Sequence, residues 1–188
     1  DIVPKYMEDP SYLTVNHIRV FDGIEGPEVD PTLIDWLATP PDRYFFRQEP
    51  GERRFSGHVI LNPLAGNLLT TEVDPRNSEG WVGVRDLHTL KKVDEWRTFG
   101  TDPHQLLTDA QGQIILANGG VPRTPDGINK MNLERMDSSL VRLDAKTGKL
   151  LGQWRLPDSR LSLRHMAWNT LEDDTPVLGI ALQGEHDQ

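Results

Sequence analysis

Short apolar runs separated by glycine-containing turns recur along the chain from residue 55 onward. The run "HVILN" (58–62) is followed by the turn "PLAGN" and the run "LLTTEV" (68–73). Further along, "HQLLT" (104–108) is followed by "DAQGQ" and "IILANG" (114–119). Short runs rich in aliphatic and β-branched side chains, joined by turns that contain glycine, predict β-hairpins. The pattern therefore predicts an all-β chain.

The same runs form an internal repeat. When His58 is aligned with His104, the following strands and turns align as well, and a shifted alignment downstream places Trp96 on Trp154. Each complete unit contains four predicted strands, and a third copy beginning at His165 contains half a unit. Antiparallel four-stranded units of roughly 40–50 residues are typical of β-propeller blades. A β-sandwich, which also has short strands at regular spacing, is the alternative fold.

The repeat predicts the organisation of the chain. Residues 1–50 form an irregular N-terminal segment with a partial blade, 51–100 a blade, 101–161 a blade with a flap insertion at 121–137, and 162–188 a partial blade. About three blades are fewer than the 4–8 of closed propellers. We therefore expect a partial propeller, which self-association of two copies would complete.

The N-terminal segment has a less regular pattern. Strands are predicted at 12–21 and 42–49. Between them, 30–38 predicts a short helix with Asp30 as N-cap and Pro31 in its first turn.

The repeat also predicts a functional site. In a blade the first strand lies nearest the axis and the second runs antiparallel beside it, so the start of one and the end of the other share a rim. His58, His104 and His165 begin the three first strands and are the predicted metal ligands, since neutral imidazoles suit zinc, iron and copper. The other predicted ligand-binding residues are Glu72, Asn118 and Gln183 at the ends of second strands, and Arg123, Asn129 and Asn132 in the flap.

Other interpretations of the histidines stay open. Each could be a packing residue that hydrogen-bonds the neighbouring blade, or an acid-base catalyst in a lactonase-like propeller hydrolase. A purely structural propeller that binds other proteins is a third possibility. The sequence assigns no catalytic residue, and it contains no GxSxG, P-loop or dinucleotide-binding motif.

Two further pairs of repeated residues have structural interpretations. Trp96 and Trp154 are predicted to be packing anchors in the fourth strands. Asp86 and Asp144 are predicted to form turns by accepting hydrogen bonds from backbone N–H groups.

Composition narrows the class of partner. The formal net charge of −9 argues against binding to nucleic acid or to an anionic membrane surface. Without cysteine the chain has no disulfides and no thiolate ligands. No apolar stretch approaches the roughly 20 residues that span a bilayer, so we expect no membrane insertion. The start "DIVPKYMEDP" has no initiator methionine and no signal-peptide pattern, which indicates a mature or truncated chain.

Several longer stretches together resemble a bacterial family known as domain of unknown function 1513. They lie between about Phe55 and Gln183 and include "FSGHVILNP", "LLTTEVD", "GWVGVRD", "DPHQLLTDAQGQIILANGG", "NKMNLERMDSSLVRLDAKTG" and "LSLRHMAW". The resemblance implies a periplasmic, propeller-type protein with no established activity, encoded near imelysin-like iron-uptake proteins. Those proteins are the partners that it implies, and the expected function is a non-enzymatic, metal-linked binding module.

Overall fold

The computed structural model describes residues 17–22, 43–48 and 52–185. The chain divides into two compact units, Asp1–Pro50 and Gly51–Gln188. Each unit has its own strands, and the second contains the residues of the predicted site.

The first unit contains one antiparallel pair of strands. β1 (His17–Asp22) pairs with β2 (Arg43–Gln48), close to the strands predicted at 12–21 and 42–49. The helix predicted at 30–38 lies outside the described residues.

The second unit consists of two four-stranded sheets and a hairpin, and every pairing in it is antiparallel. The first sheet contains, in spatial order, β3 (Arg54–Asn62), β4 (Asn67–Val73), β5 (Glu79–Arg85) and β6 (Lys92–Thr101). The second sheet contains β7 (Pro103–Thr108), β8 (Ile114–Asn118), β9 (Ser139–Leu143) and β10 (Leu150–Arg155). The C-terminal hairpin contains β11 (Leu161–Thr170) and β12 (Pro176–Gly184). The predicted all-β class and the antiparallel four-stranded units are thereby confirmed.

A 3-10 helix at Leu133–Arg135 interrupts the connection between β8 and β9. Within the described ranges, no helix has both the length and the apolar character needed to cross a membrane.

The turns between the third and fourth strands of both sheets have the same hydrogen bonds. Asp86 Oδ1 accepts from the Thr89 backbone N–H at 2.8 Å and from the Thr89 hydroxyl at 2.7 Å. Asp144 Oδ1 accepts from the equivalent groups of Thr147 at the same two distances. These bonds replace ladder bonds that a turn cannot make. The turn-forming role predicted for both aspartates is confirmed.

The hydrophobic core lies on both faces of β8, whose five residues are all buried. Successive side chains of a strand point to opposite faces. Ile114 and Leu116 pack with β4, β5 and β6 of the first sheet, while Ile115 and Ala117 pack with Leu163 of the hairpin. The second sheet is therefore packed between the first sheet and the hairpin.

The two equivalent tryptophans have different environments. Trp96 on β6 is buried in the core between the sheets and packs against Gly148 of the next turn, whereas Trp154 on β10 is 55% exposed. The packing role is confirmed for Trp96 and is wrong for Trp154. The C-terminal hairpin is the third copy of the repeat, and its described part has two strands, β11 and β12. It therefore provides no turn that covers Trp154 in the way that the turn of Gly148 covers Trp96.

A buried ion pair holds the first sheet together. The carboxylate of Glu72 on β4 contacts the Arg85 guanidinium of β5 at 2.5 Å, and both side chains are almost completely buried. Glu72 also accepts a hydrogen bond from Thr70 at 2.8 Å and pairs with Lys92 at 3.0 Å. Removing one partner of such a pair leaves a buried charge without compensation, which costs about 3–5 kcal/mol.

We expect Glu72→Gln to lower the free energy of unfolding by about 3–5 kcal/mol, because Arg85 then keeps its charge in the interior. The control is Glu79→Gln, which removes an exposed pair with Arg97 and should cost about 1 kcal/mol or less. Urea denaturation followed by tryptophan fluorescence measures both values. Equal losses in the two variants would contradict this account of the first sheet.

Candidate functional site

The three repeated histidines converge at one place. The imidazole centroids of His58 and His104 lie 4.7 Å apart, those of His104 and His165 lie 4.8 Å apart, and those of His58 and His165 lie 5.4 Å apart. One ring nitrogen of each lies within 4.8 Å of the other two. The first strands β3, β7 and β11 supply one histidine each, and β7 lies between the other two.

Irregularities in the strand pairing position all three side chains. The register of β3 on β4 shifts between Phe55 and Val59, and that of β7 on β8 shifts between Pro103 and Leu106. The register of β11 on β12 shifts immediately before His165. Bulges redirect side chains and are common next to functional sites. The first strands extend before the histidines, so His58 and His165 lie inside strands and do not begin them as predicted.

The environment of His58 and His104 favours the uncharged form of their rings near neutral pH. Burial, together with the neighbouring rings of His58 and His165 and the guanidinium groups of Arg164 and Arg123, lowers the pKa of His104 to about 4. Burial and the nearby His165 also lower the pKa of His58. A neutral imidazole presents a free nitrogen lone pair, which is the form that binds metal ions.

The rings contact one another and make no hydrogen bond to any other described residue. The described hydrogen bonds of His58 involve its backbone, whose N–H and C=O bond the Thr71 hydroxyl. One alternative was that each imidazole hydrogen-bonds the neighbouring blade. The described residues show no such hydrogen bond. The nitrogens of the three rings are available to an added ligand.

The structure does not bring Glu72 or Asn118 to the histidines. Glu72 pairs across the ladder with Phe55, and its carboxylate is occupied by Arg85 and Lys92. Asn118 is fully buried, and its amide donates to the Thr98 carbonyl at 2.9 Å, which ties the second sheet to β6. Both predictions assumed that the first strands begin at the histidines. The bulges and the longer strands place these residues elsewhere.

Gln183 and Arg123 do border the site. Both line a cavity of about 400 Å³ together with His104 and His165. Arg123 belongs to the flap, and its Nε donates to Asp102 Oδ1 at 3.3 Å. These two predicted ligand-binding residues are thus close to the imidazoles.

The flap at 121–137 is anchored to both of its neighbours. The Ser78 hydroxyl of the first sheet exchanges hydrogen bonds with the backbone of Arg123, and Lys130 forms an ion pair with Glu185 after β12. Asn129 and Asn132, predicted to bind ligand, are exposed, and neither lines the cavity. Asn129 instead helps to close a turn through its backbone bonds to Thr124.

Three charged residues of the site were missed by the sequence analysis. Arg164 is buried beside the histidines and contacts Asp102 at 2.8 Å and Glu185 at 3.6 Å. Asp102 lies two residues before His104, and Arg164 directly precedes His165. These charged neighbours of the repeated histidines were the available signal.

We expect the imidazole of His104 to titrate far below the ordinary histidine pKa of about 6.5, near 4, in the metal-free protein. The unfolded chain then binds more protons than the folded chain between these two values. Stability should therefore fall as the pH decreases from about 6.5 towards 4.

An NMR titration of the histidine rings measures the pKa, and urea denaturation at several pH values measures the stability. His104→Gln should reduce the pH dependence, while His88→Gln, which changes an exposed histidine, should not. A pKa above 6 for His104 would contradict the described environment.

Comparison with known proteins gives one result. A search of curated proteins and a search of solved structures each returned no significant match. A family model described as "Protein of unknown function (DUF1513)" matches residues 33–188. The match extends farther toward the N-terminus than the resemblance seen over 55–183, and it includes all three histidines. The chain belongs to this family of proteins of unknown function.

Proposed function

We propose that this protein is a non-enzymatic binding module that holds a transition-metal ion on His58, His104 and His165. The convergence of the three imidazoles is the observation that carries the proposal, since their ring centroids lie 4.7–5.4 Å apart. Imidazole nitrogen is a common ligand of zinc, copper, iron and nickel. Three separate strands supply the ligands, so an ion would also link the two sheets and the hairpin.

The spacing of the rings suits one ion. Metal–imidazole bonds are about 2.0–2.1 Å long, so ligand nitrogens of a tetrahedral ion lie about 3.3 Å apart. The ring nitrogens lie within 4.8 Å of one another, and side-chain rotations would have to bring them closer to reach this spacing. His165 is exposed, which gives an ion a route from solvent. Three protein ligands leave one or more coordination positions open.

The ion pairs of the surrounding carboxylates support binding over base-assisted catalysis. The convergent group contains no carboxylate. Asp102 and Glu185, the acidic partners of the cavity residue Arg164, are in ion pairs with it, while Glu72 is paired inside the first sheet. Activation of a bound water by a general base requires a carboxylate or imidazole free to accept the proton. Here the three imidazoles are assigned to the ion, and the carboxylates are already in ion pairs.

The proposal includes the wider architecture. The two four-stranded sheets and the hairpin would be successive blades of a β-propeller, with the histidine-bearing first strands nearest the axis. Face-to-face packing around β8 and the adjacency of β3, β7 and β11 support this arrangement. Association with a second copy would complete the ring. A periplasmic location and partners in iron uptake, which the family resemblance implies, belong to the same proposal.

We expect the wild-type chain to bind one transition-metal ion in anaerobic calorimetric titrations with Fe(II), Cu(II) and Zn(II). His104→Ala removes the central ligand and should weaken binding by about 100-fold or more, since even changes outside the ligand shell cost about 10–100-fold. His88→Ala changes an exposed histidine in the turn between β5 and β6, outside the site, and this variant should bind metal like the wild type.

Identical affinities of the wild type and His104→Ala for all three ions would overturn the metal proposal. Circular dichroism of each variant shows whether the sheets are intact, so that a loss of binding is not confused with unfolding.

A further inference from the structure

A cavity of about 400 Å³ adjoins two of the three histidines. Its volume is within the range of small-molecule sites, which is about 300–1,000 Å³. The residues that line it are His104, Arg123, Arg164, His165, Ala181, Leu182 and Gln183. Any ligand that fills the open coordination positions of an ion on the histidines would occupy this space.

Two guanidinium groups dominate the wall of the cavity. Arg123 and Arg164 share a single carboxylate, that of Asp102, at 3.3 Å and 2.8 Å. The next carboxylate, that of Glu185, is 3.6 Å from Arg164 and also pairs with Lys130. In this network the three cationic groups of Arg123, Arg164 and Lys130 share the two carboxylates of Asp102 and Glu185. The wall carries excess positive charge although the chain as a whole has a net charge of −9.

Arg164 also has an unsatisfied donor. Its side chain is 10% exposed, and its Nε is buried without a hydrogen-bond partner among the described residues. Buried donors are normally paired, and leaving one unpaired costs free energy. A ligand that brings an acceptor into the cavity would remove this cost.

A metal ion on the histidines increases the positive charge further. The three rings are neutral ligands and no carboxylate joins them, so the ion keeps its full charge. Arg123 and Arg164 already act on the same place, since both line the cavity that His104 and His165 also line. The site with its ion therefore favours an anionic ligand over a neutral one.

We propose that the ion is bound together with a small dicarboxylate or hydroxycarboxylate, which coordinates the metal through one oxygen group and pairs with Arg123 and Arg164 through a carboxylate. This inference rests on the proposed metal site and names the ligand class of that site. Guanidinium groups bind carboxylates through paired, charge-assisted hydrogen bonds, which single out this chemistry. The open position on the metal and the adjacent guanidinium groups together select a chelating anion.

The test uses the chain loaded with one equivalent of Co(II), whose visible absorption reports the ligands of the ion. Malonate is titrated into the wild type and into Arg123→Gln, with Arg123→Lys as the conservative variant. Malonamide, the neutral analogue, is the chemical control. Arg142→Gln is the matched protein control, because Arg142 on β9 also pairs with an aspartate, Asp109 at 2.7 Å, but does not line the cavity.

We expect malonate to change the spectrum of the wild type and of Arg142→Gln with equal affinity, and malonamide to have no effect. Arg123→Gln should weaken malonate binding by about tenfold or more, since hydrogen bonds to charged groups contribute about 1.5–3 kcal/mol. Arg123→Lys should retain part of the affinity because it keeps the charge but loses the paired geometry.

Equal malonate affinity in the wild type and Arg123→Gln, or removal of Co(II) from the protein by malonate, would overturn the inference while leaving the metal site in place. Absence of a protein-bound Co(II) spectrum before malonate is added would overturn the metal site and this inference together. The spectrum recorded before the titration separates these two failures.

Discussion

Strand β8 buries side chains on both of its faces, and the position of the site depends on this constraint. Ile114 and Leu116 are held against the first sheet, while Ile115 and Ala117 are held against the C-terminal hairpin. A strand with alternating faces can do this only if a layer of structure lies on each side of its sheet. The three first strands consequently lie next to one another. A shift of β8 by one residue would turn each of its side chains to the opposite face. The packing that keeps β3, β7 and β11 adjacent would then be lost.

The histidines use this packing without belonging to the core. Bulges at the beginning of β3 and β7 and before His165 in β11 interrupt the ladders where the three first strands approach each other. The side chains of His58, His104 and His165 contact one another there, beside the cavity that His104 and His165 line. Burial first, and the proximity of the other rings second, lower the pKa of His104 and of His58. An ion that accepts three neutral nitrogens fits this arrangement.

The sequence was informative where local chemistry determines structure. Short apolar runs and glycine turns predicted the strands of both sheets, and the repeated Asp–Thr pairs predicted the turns that Asp86 and Asp144 close. The repeat also predicted that His58, His104 and His165 lie at one place, and the structure brings them together there. Each of these features depends on neighbours in the chain or on the period of the repeat.

The sequence was less informative where register or a neighbouring unit determines the outcome. Glu72 was assigned to the site, but the bulge in β3 sets it opposite Phe55 and leaves it buried with Arg85. Trp154 has the position of Trp96 in the repeat but is 55% exposed, because no turn equivalent to that of Gly148 covers it among the described residues. Asp102 and Arg164 are sequence neighbours of repeated histidines, but their pairing with each other and with Glu185 joins distant parts of the chain and follows from tertiary contacts.

X-ray absorption spectroscopy of the protein loaded with one equivalent of Zn(II) tests the central claim most directly, because it counts the imidazole ligands of the ion. The account predicts three imidazole nitrogens at about 2.0–2.1 Å, with the remaining coordination supplied by oxygen atoms of water or of another added ligand. A shell with fewer than two imidazoles, or a six-oxygen shell, would contradict a metal site built on His58, His104 and His165.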